Sequence, residues 1–177
     1  HPQLWPDDLD YSNKRVAVIG SGATAGTLIP AMADKASHVT MVQRSPTYIV
    51  SMPSKDRLAN MLNRLMPAAW AYATTRWRNI RFQNYFYKQA IERPTKIRAY
   101  ILKRLRKALA PEIDVEKHFT PSYDPWTQRL CLVPDSDLFH VLNSGKASVI
   151  TGTIARITSD GIEMQGGEKI EADVLVT

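Results

Sequence analysis

The sequence predicts an α/β domain with a Rossmann-like, doubly wound, mainly parallel sheet, a helical insertion and a β-meander. Three observations predict this fold. An apolar strand passes through a glycine turn into a helix, and a second apolar strand follows within about thirty residues. Helices punctuated by proline then occupy about 54–118, and Asp-Gly and Gly-Gly turn signals separate short alternating runs near the C-terminal end. The 177 residues, of which 44% are hydrophobic and 23% charged, suffice for one domain with its own core.

The first unit is a strand, a turn, a helix and a second strand. Arg15–Ile19 is a short apolar run between charge and glycine, which is typical of a buried parallel strand. Apolar residues at helical spacing after the turn predict a helix that ends near Ser37. The second strand is predicted at residues 39–42. This order is the beginning of a dinucleotide-binding fold.

The middle of the chain, about 54–118, is predicted to be a helical insertion. Ser54 is the predicted N-cap of its first helix, and Pro67 is predicted to start the second. Thr95 is the predicted cap of a third helix, in which apolar residues recur at i, i+4 spacing. The alternation of strand and helix is therefore interrupted here.

The part of the chain after a loop at 119–128 is predicted to return to the sheet. Short apolar runs alternate there with turn residues, which is typical of strands. The predicted elements are strands at 130–133 and 147–150, a short helix at 135–142, a meander of strands at 153–157, 162–164 and 169–170, and a closing strand at 174–176.

The glycine turn is the first motif that indicates a function. In Gly20-x-Gly22-x-x-Ala25, the first glycine permits a tight turn and the second lets a pyrophosphate approach the backbone. The small third residue allows the helix to pack closely on the strand. Since the turn opens a predicted helix, N–H groups and the positive end of the helix dipole would face the phosphates.

Arg44 is the second motif, because it lies at the end of the second predicted strand, where such folds contact the ribose 2′ position. An acidic residue there favours NAD, whereas an arginine pairs with a 2′-phosphate and favours NADP. The sequence therefore predicts NADP as the nucleotide.

Four ordered segments carry a resemblance to a known family. They are residues 1–6 (His-Pro-Gln-Leu-Trp-Pro), the glycine turn at 20–25, the run 42–47 (Val-Gln-Arg-Ser-Pro-Thr) and the run 124–130 (Asp-Pro-Trp-Thr-Gln-Arg-Leu). The first resembles the second half of the fingerprint Phe-x-Gly-x-x-x-His-x-x-x-Trp-Pro/Asp of flavin-containing and Baeyer–Villiger monooxygenases. The next two are similar to that family's NADPH site, and the fourth to its segment with a Lys-Arg pair. The tail 172–177 is similar to the strand before the family's Ala-Thr-Gly turn, so the resemblance spans the chain.

The resemblance implies a division of the chain and a reaction for the intact protein. Residues 1–13 would be the remnant of an interdomain linker, in which His1 and Trp5 are expected to be disordered and not catalytic. Residues 14–177 would be an NADPH-binding domain, excised from a polypeptide whose other nucleotide domain carries FAD. NADPH would reduce the flavin, and O₂ would add to give a flavin peroxide that oxygenates a small hydrophobic ketone or a heteroatom. The isolated domain is expected to bind NADP(H) but to be inactive as an oxidoreductase.

The resemblance also implies roles for individual residues. Arg129 corresponds to the catalytic arginine that stabilises the anionic peroxyflavin, which suits a guanidinium. Gln128 departs from the pattern, because some members have Lys there, and this weakens the expected preference for NADP. The predicted cofactor-binding residues are Gly20, Ser21, Gly22, Ala23, Thr24, Ala25, Gln43, Arg44, Ser45 and Gln128.

Two alternatives to a monooxygenase remain at this point. The first is the nucleotide domain of a pyridine-nucleotide flavin reductase that does not oxygenate, for which Arg129 is not required. The second is a stand-alone nucleotide-sensing or membrane-docking module on the same fold. A preceding FAD-type glycine motif in the gene would exclude the second.

The net charge of +6 comes from one segment, because residues 76–107 hold eleven Lys/Arg and a single acid, Glu92, leaving 12 basic and 16 acidic residues elsewhere. Aromatic residues interleave with these charges, a pattern that suits nucleic acid or an anionic membrane surface. We interpret the aromatics as the packing face of an insertion that covers the site. No nucleic-acid partner is expected, whereas a peripheral membrane contact stays open.

Other site classes receive little support from the sequence. Carboxylates and an imidazole occur at Glu112, Asp114, Glu116 and His118, but no further ligands accompany them, so no metal is expected. The lone cysteine, Cys131, is expected to be a small buried hydrophobe. A single cysteine and the lack of an export leader favour a cytoplasmic location.

Overall fold

A computed structural model describes residues 1–6 and 8–177. A short 3₁₀ turn at Pro2–Leu4 precedes the regular elements. In chain order these are β1 (Arg15–Ile19), α1 (Ala23–Ala33), β2 (His38–Gln43), β3 (Tyr48–Met52), α2 (Arg57–Leu65), α3 (Ala68–Glu92), α4 (Pro94–Ala108), α5 (Val115–Phe119), β4 (Leu130–Pro134), α6 (Asp137–Asn143), β5 (Ala147–Thr151), β6 (Ile154–Thr158), β7 (Gly161–Met164), β8 (Lys169–Glu171) and β9 (Val174–Val176).

The main sheet has the strand order β5-β2-β1-β9, and its three neighbouring pairs are all parallel. The chain moves outward from β1 through β2 to β5 and then returns to the other side of β1 as β9. Val16 is in register with Val39 on one side and with Val174 on the other. The mixed α/β architecture with a mainly parallel sheet and a small antiparallel sheet confirms the predicted fold class.

Helix α1 packs against the main sheet and forms the centre of the larger core. Ile29 and Met32 on its inner face are fully buried, together with Val16 and Val39 from the strands beneath. A Cβ on Gly26 would lie 3.3 Å from a methyl carbon of Val133, so α1 also lies very close to β4. The close packing that the sequence analysis assigned to the third position of the glycine motif therefore extends to the next residue.

A second, two-stranded parallel sheet joins β3 to β4. Neither β3 nor α5 was predicted from the sequence, because each is a short five-residue element without a clear helical or alternating pattern. Burial of Tyr48 explains β3: its side chain is fully enclosed, and its hydroxyl donates to the Tyr123 carbonyl oxygen at 2.8 Å. Tertiary contact has thus selected a strand for a short apolar run.

Two predicted helix caps in the insertion are wrong. Asp56, and not Ser54, caps α2, since its carboxylate accepts from the Ala59 N–H at 3.0 Å. Thr95 lies inside the first turn of α4, which begins at Pro94 because proline fits the first helical position without needing an N–H partner. The start of the second helix is confirmed, because α3 follows Pro67 directly.

The interpretation of the aromatic residues as a packing face is wrong. Trp77, Phe82 and Tyr85 on α3 are each at least 60% exposed. The helix instead buries only small residues, Ala71 and Ala90, where it packs on its neighbours. Of the helices that the structure describes, none is both long and apolar enough to cross a membrane.

The predicted meander is confirmed as an antiparallel sheet of β6, β7 and β8. Ile162, Met164 and Ile170 pack on the outer side of β1 and β2 as a second, smaller core. Gly161 has φ of +147°, and a Cβ there would lie 2.0 Å from the Ile170 carbonyl oxygen, so glycine is required.

The N-terminal segment contradicts the expected disorder around Trp5. Its indole lies edge-on against Tyr11, with ring centroids 6.2 Å apart, and both residues pack on the larger core. The assignment of residues 1–13 to an interdomain linker stays a prediction.

Ion pairs of Arg15 with Asp173 and Glu171, which we call the charged clamp, hold the edge strand β9 to β1. The Arg15 guanidinium donates to the Asp173 carboxylate at 2.7 Å, the Arg15 N–H donates to the same carboxylate at 2.8 Å, and Glu171 forms a second ion pair with Arg15. The Arg15 guanidinium, and after it the Arg15 N–H, hold the pKa of Asp173 at about 2. Because β9 is only three residues long, it pairs with β1 over a short distance, and the clamp adds to the backbone hydrogen bonds there.

The clamp predicts an acid-sensitive contribution to stability. The pKa of the Asp173 carboxyl is 3.8 in the unfolded chain and about 2 in the folded protein, so its carboxylate stabilises the folded state at pH values above 3.8. This contribution is lost as the pH falls toward about 2. Asp173→Asn should therefore lower the free energy of unfolding at pH 6, and its difference from the natural protein should shrink through this window. Denaturant unfolding at several pH values measures it, with Asp34→Asn as the control. A pH-independent difference would contradict this assignment.

Candidate nucleotide-binding site

The glycine turn forms the base of the candidate site. Gly20 has φ of +129°, a conformation that L side chains rarely adopt, and its N–H donates to the Val42 carbonyl oxygen at 2.8 Å. Gly22 is the N-cap of α1, and a Cβ built there would meet nothing within 4 Å. Open space therefore lies in front of the turn and the first N–H groups of the helix, the arrangement that binds phosphate in other proteins.

Two clefts flank the turn and share Ile19 and Gly20. The first has a volume of about 380 Å³, and the second about 330 Å³. The first is lined by Ile19, Gly20, Ser21, Val42, Arg44, Ser45, Arg129, Gly152, Thr153 and Ile154. The second is lined by His1, Pro2, Gln3, Val18, Ile19, Gly20, Gly22, Thr24, Ala25, Leu28, Val176 and Thr177.

The strand order explains why the clefts lie here. The first cleft is bounded by the carboxyl ends of β1, β2 and β5, from which the side chains of three different loops converge. The second lies between β1 and β9, where the order of connection reverses. In open α/β sheets, ligands bind outside the carboxyl ends of the strands at such a switch point.

A buried hydroxyl connects the parts of the first cleft. The Thr47 side chain is 1% exposed, and its Oγ1 lies 3.1 Å from Ser21 Oγ in the glycine turn. Arg129 Nε donates to the same oxygen at 3.1 Å. Thr47 therefore ties the turn to the loop before β4 and orients the Arg129 guanidinium, although residues 21, 47 and 129 are far apart in sequence.

The lone cysteine lies below the turn rather than in a cleft. Cys131 is buried, and its Sγ donates to the Ser21 carbonyl oxygen at 3.6 Å. Burial raises the pKa of its thiol. These properties belong to a structural cysteine and confirm the expectation of a small buried side chain.

Gln43 is committed to the interior by its hydrogen bonds. Its side-chain N–H donates to the His118 carbonyl oxygen at 2.6 Å and to Thr151 Oγ1 at 2.9 Å. The same hydroxyl lies 2.8 Å from His118 Nδ1. Burial, and secondarily the neighbouring Lys117, lower the pKa of His118, which favours the neutral ring at pH 7. The Gln43 side chain thus holds α5 against the end of β2.

The structure brings many of the predicted site residues together. Gly20, Ser21, Arg44, Ser45 and Arg129 line the first cleft. Gly22, Thr24 and Ala25 line the second, and Ala23 is exposed at the start of α1.

The other predicted residues lie outside the clefts, and the clefts contain residues that the sequence analysis missed. Gln128 is exposed and is not part of the lining of either cleft, and the Gln43 side chain points inward. Gly152, Thr153 and Ile154 line the first cleft, but Thr153 and Ile154 were predicted only as part of the meander and Gly152 as part of no element. A glycine two residues after the predicted strand 147–150 was the available signal for them.

The carboxylates near His118 have structural partners. Asp114 caps α5 by accepting from the Lys117 N–H at 3.0 Å, and Glu116 forms an ion pair with Arg106. Within the part of the chain that the structure describes, no three His, Cys, Asp or Glu side chains converge as a metal site would require.

Comparison with known proteins relates the chain to flavoprotein monooxygenases. It is 50% identical over 178 aligned residues to the FAD-containing monooxygenase EthA of Mycobacterium tuberculosis and 49% identical to the probable FAD-binding monooxygenase AlmA of Acinetobacter baylyi. Both alignments cover the whole chain but only 36% of the relative. No family model matches the chain. The chain is thus homologous to one segment of FAD-containing monooxygenases, which confirms the resemblance seen in the sequence.

Solved structures share the fold of this segment. OTEMO in complex with FAD and NADP has a TM-score of 0.69 at 17% identity, over 97% of this chain and 38% of that one. Steroid monooxygenase bound to NADP has a TM-score of 0.68 at 19% identity, over 97% and 39%. These likenesses show a common fold across both the α/β unit and the helical insertion.

The Thr47 network predicts a matched pair of stability effects. Thr47→Val removes the shared oxygen and leaves the buried Ser21 hydroxyl without it, so unfolding should become easier by about 1 to 3 kcal/mol. Thr47→Ser should retain most of the stability because it keeps the oxygen. Urea denaturation measures both, with Thr27→Val on the exposed side of α1 as the control. Equal stability of the Val and Ser variants would show that the network contributes nothing.

Proposed function

We propose that this chain is the NADPH-binding part of an FAD-containing monooxygenase of the Baeyer–Villiger type. The observation that carries the proposal is the position of Arg44 and Arg129, which line one cleft together with the glycine turn. Two guanidinium groups beside a helix N-terminus suit a ligand with several phosphates. The names of the relatives support oxygenation over a flavin reductase that does not oxygenate.

The two clefts suggest how the nucleotide would be held. Its pyrophosphate would lie over Gly20 and Gly22, where no side chain blocks the approach to the backbone. Arg44, exposed at the end of β2, would pair with the 2′-phosphate, and Ser45 beside it would add a hydroxyl. The nicotinamide half would then extend to the second cleft at β9.

Arg129 would serve the reaction as a fixed positive charge. Its Nε is held by Thr47, so the terminal nitrogens stay available to the cleft. An arginine is permanently charged and donates several hydrogen bonds in a fixed plane, which suits the stabilisation of an anion. FAD, when bound, supplies the redox chemistry that activates O₂.

The remaining parts of the proposal concern the whole protein. The chain spans 36% of the length of its relatives, and FAD would be bound by another region of the same polypeptide. A small hydrophobic ketone or heteroatom compound is the proposed substrate, and the cytoplasm the proposed location. Alone, the chain would bind NADPH without oxygenating a substrate, and nucleic acid is not among the proposed partners.

Calorimetric titration with NADPH and NADH tests the nucleotide site. The charged contact of Arg44 with the 2′-phosphate should favour NADPH by about 1.5 to 3 kcal/mol. Arg44→Ala should abolish that difference, whereas Arg64→Ala on the exposed side of α2 should leave it unchanged. Equal affinities of the natural protein for both nucleotides would overturn the NADP assignment.

Kinetics of the FAD-loaded polypeptide at the length of the relatives test Arg129. Arg129→Ala should lower kcat for oxygenation by about a hundredfold or more, because a preorganised donor to a developing anion is lost. Arg44→Ala should mainly raise KM for NADPH. If Arg129→Ala changed only KM, the arginine would be a binding residue and its proposed catalytic role would be wrong.

A further inference from the structure

Helix α3 is an exposed helix with one side against the domain. Its 25 residues correspond to a length of about 37 Å at 1.5 Å per residue. Ala71 and Ala90 are its buried residues, and Phe86 between them is half-buried. The helix packs with this side on α2 and α4, so most of its surface faces away from the domain.

The exposed side of α3 carries an apolar stripe, which contacts the rest of the domain at Tyr87. It carries five residues that we call the outer ridge: Trp70, Trp77, Ile80, Tyr87 and Ile91. Their spacings of seven, three, seven and four place them within an arc of about 100° on a helix. All five are between 43% and 71% exposed. An exposed apolar stripe of this length indicates an interaction surface.

Basic side chains are concentrated on α3 beside the outer ridge and on α4, which packs against α3. Arg81 lies over the Trp77 ring, with its guanidinium carbon 5.4 Å from the ring centroid. Among the described residues, carboxylates pair with only three of the eleven basic side chains of 76–107: Arg78, Lys88 and Arg106. On α4, Lys96, Lys103 and Lys107 are exposed at spacings that place them on one face. The segment as a whole contains one acid.

We propose that the outer ridge docks onto the surface of an anionic lipid bilayer, with α3 lying in the plane of the interface. Tryptophan and tyrosine prefer the boundary between headgroups and acyl chains, where an apolar ring can be buried beside water. The flanking Lys and Arg side chains complement anionic headgroups. Eleven Lys and Arg against one acid in 76–107 give this surface a charge that is complementary to an anionic bilayer.

The outer ridge contacts the loop that leads to Arg129. The Tyr87 ring lies edge-on to Trp126, with centroids 6.2 Å apart, and Trp126 is in the loop that leads to Arg129. Docking through α3 would therefore bring this loop near the bilayer, where hydrophobic molecules dissolve. The docking itself does not depend on nucleotide binding.

Vesicle co-sedimentation of the chain tests the proposal. Binding is expected with phosphatidylcholine–phosphatidylglycerol vesicles, to weaken as salt is raised, and to be much lower with phosphatidylcholine alone. The double variants Trp70→Ala/Trp77→Ala and Arg81→Glu/Lys88→Glu should each lower the partition coefficient by about tenfold or more. Circular dichroism checks that both fold, and NADPH titration should be unchanged in both.

Two matched controls separate the ridge from general surface effects. Lys35→Glu/Lys146→Glu reverses two exposed charges outside 76–107. Leu132→Ala/Ile157→Ala removes two exposed apolar side chains, one on β4 and one on β6. Neither should lower vesicle binding by more than about twofold at moderate salt. If a control lowered binding as much as the ridge variants, the proposal would be overturned.

Other occupants of the outer ridge give distinct outcomes. Ridge-dependent self-association in sedimentation velocity would assign it to a second copy, and ridge-dependent binding to an oligonucleotide would assign it to nucleic acid. Stronger hydrogen-exchange protection of α3 in the polypeptide at the length of the relatives than in this chain alone, both without vesicles, would assign the ridge to the remainder of the protein. Each of these results, or the absence of binding to anionic vesicles, would overturn membrane docking.

Discussion

The turn between β1 and α1 constrains everything else in the candidate site. Gly20 adopts a backbone conformation that side chains disfavour, and its N–H reaches across to the carbonyl of Val42 at the end of β2. One hydrogen bond thus couples the ends of the two central strands, so Arg44 leaves β2 at a fixed position relative to the helix N-terminus. Since α1 also packs within van der Waals distance of β4 at Gly26, the same helix aligns the second sheet with the first. The site is therefore a consequence of close packing around small residues.

The second constraint is the use of buried polar groups to join distant segments. Thr47 connects the turn to Arg129, and Gln43 connects β2 to α5 and β5. Each group is enclosed, so leaving a partner unsatisfied would cost more than a hydrogen bond contributes at the surface. These side chains do not face the clefts, yet they determine which side chains do. Arg129 is a candidate for catalysis because a threonine far from it in sequence holds one nitrogen and leaves the others available.

The insertion follows a different physical rule from the sheet. The strands of the main sheet bury Val, Ala and Met on both sides, whereas α3 packs through alanines and leaves most of its large apolar residues in solvent. Because the large apolar side chains of α3 are exposed, they contribute little hydrophobic stabilisation to this chain. Contact with another surface would bury them and gain that free energy. The fold neighbours contain an equivalent region, since they cover 97% of the chain. The core and the insertion thus differ in which of their surfaces they bury within this chain.

Local chemistry in the sequence determined the parallel sheet, the glycine turn, the meander and the position of Arg44. Each depends on residues that are neighbours along the chain: an apolar run, a glycine that permits an unusual φ, or an Asp-Gly pair. Only the tertiary structure decided that Tyr48–Met52 is a strand, that Gln43 points inward, and that Thr47 joins Ser21 to Arg129. It also decided that the aromatic residues of α3 stay exposed, because helical spacing shows which residues share a face but not what that face contacts. Burial and hydrogen bonding between distant segments arise when the chain closes on itself, and no single segment encodes them.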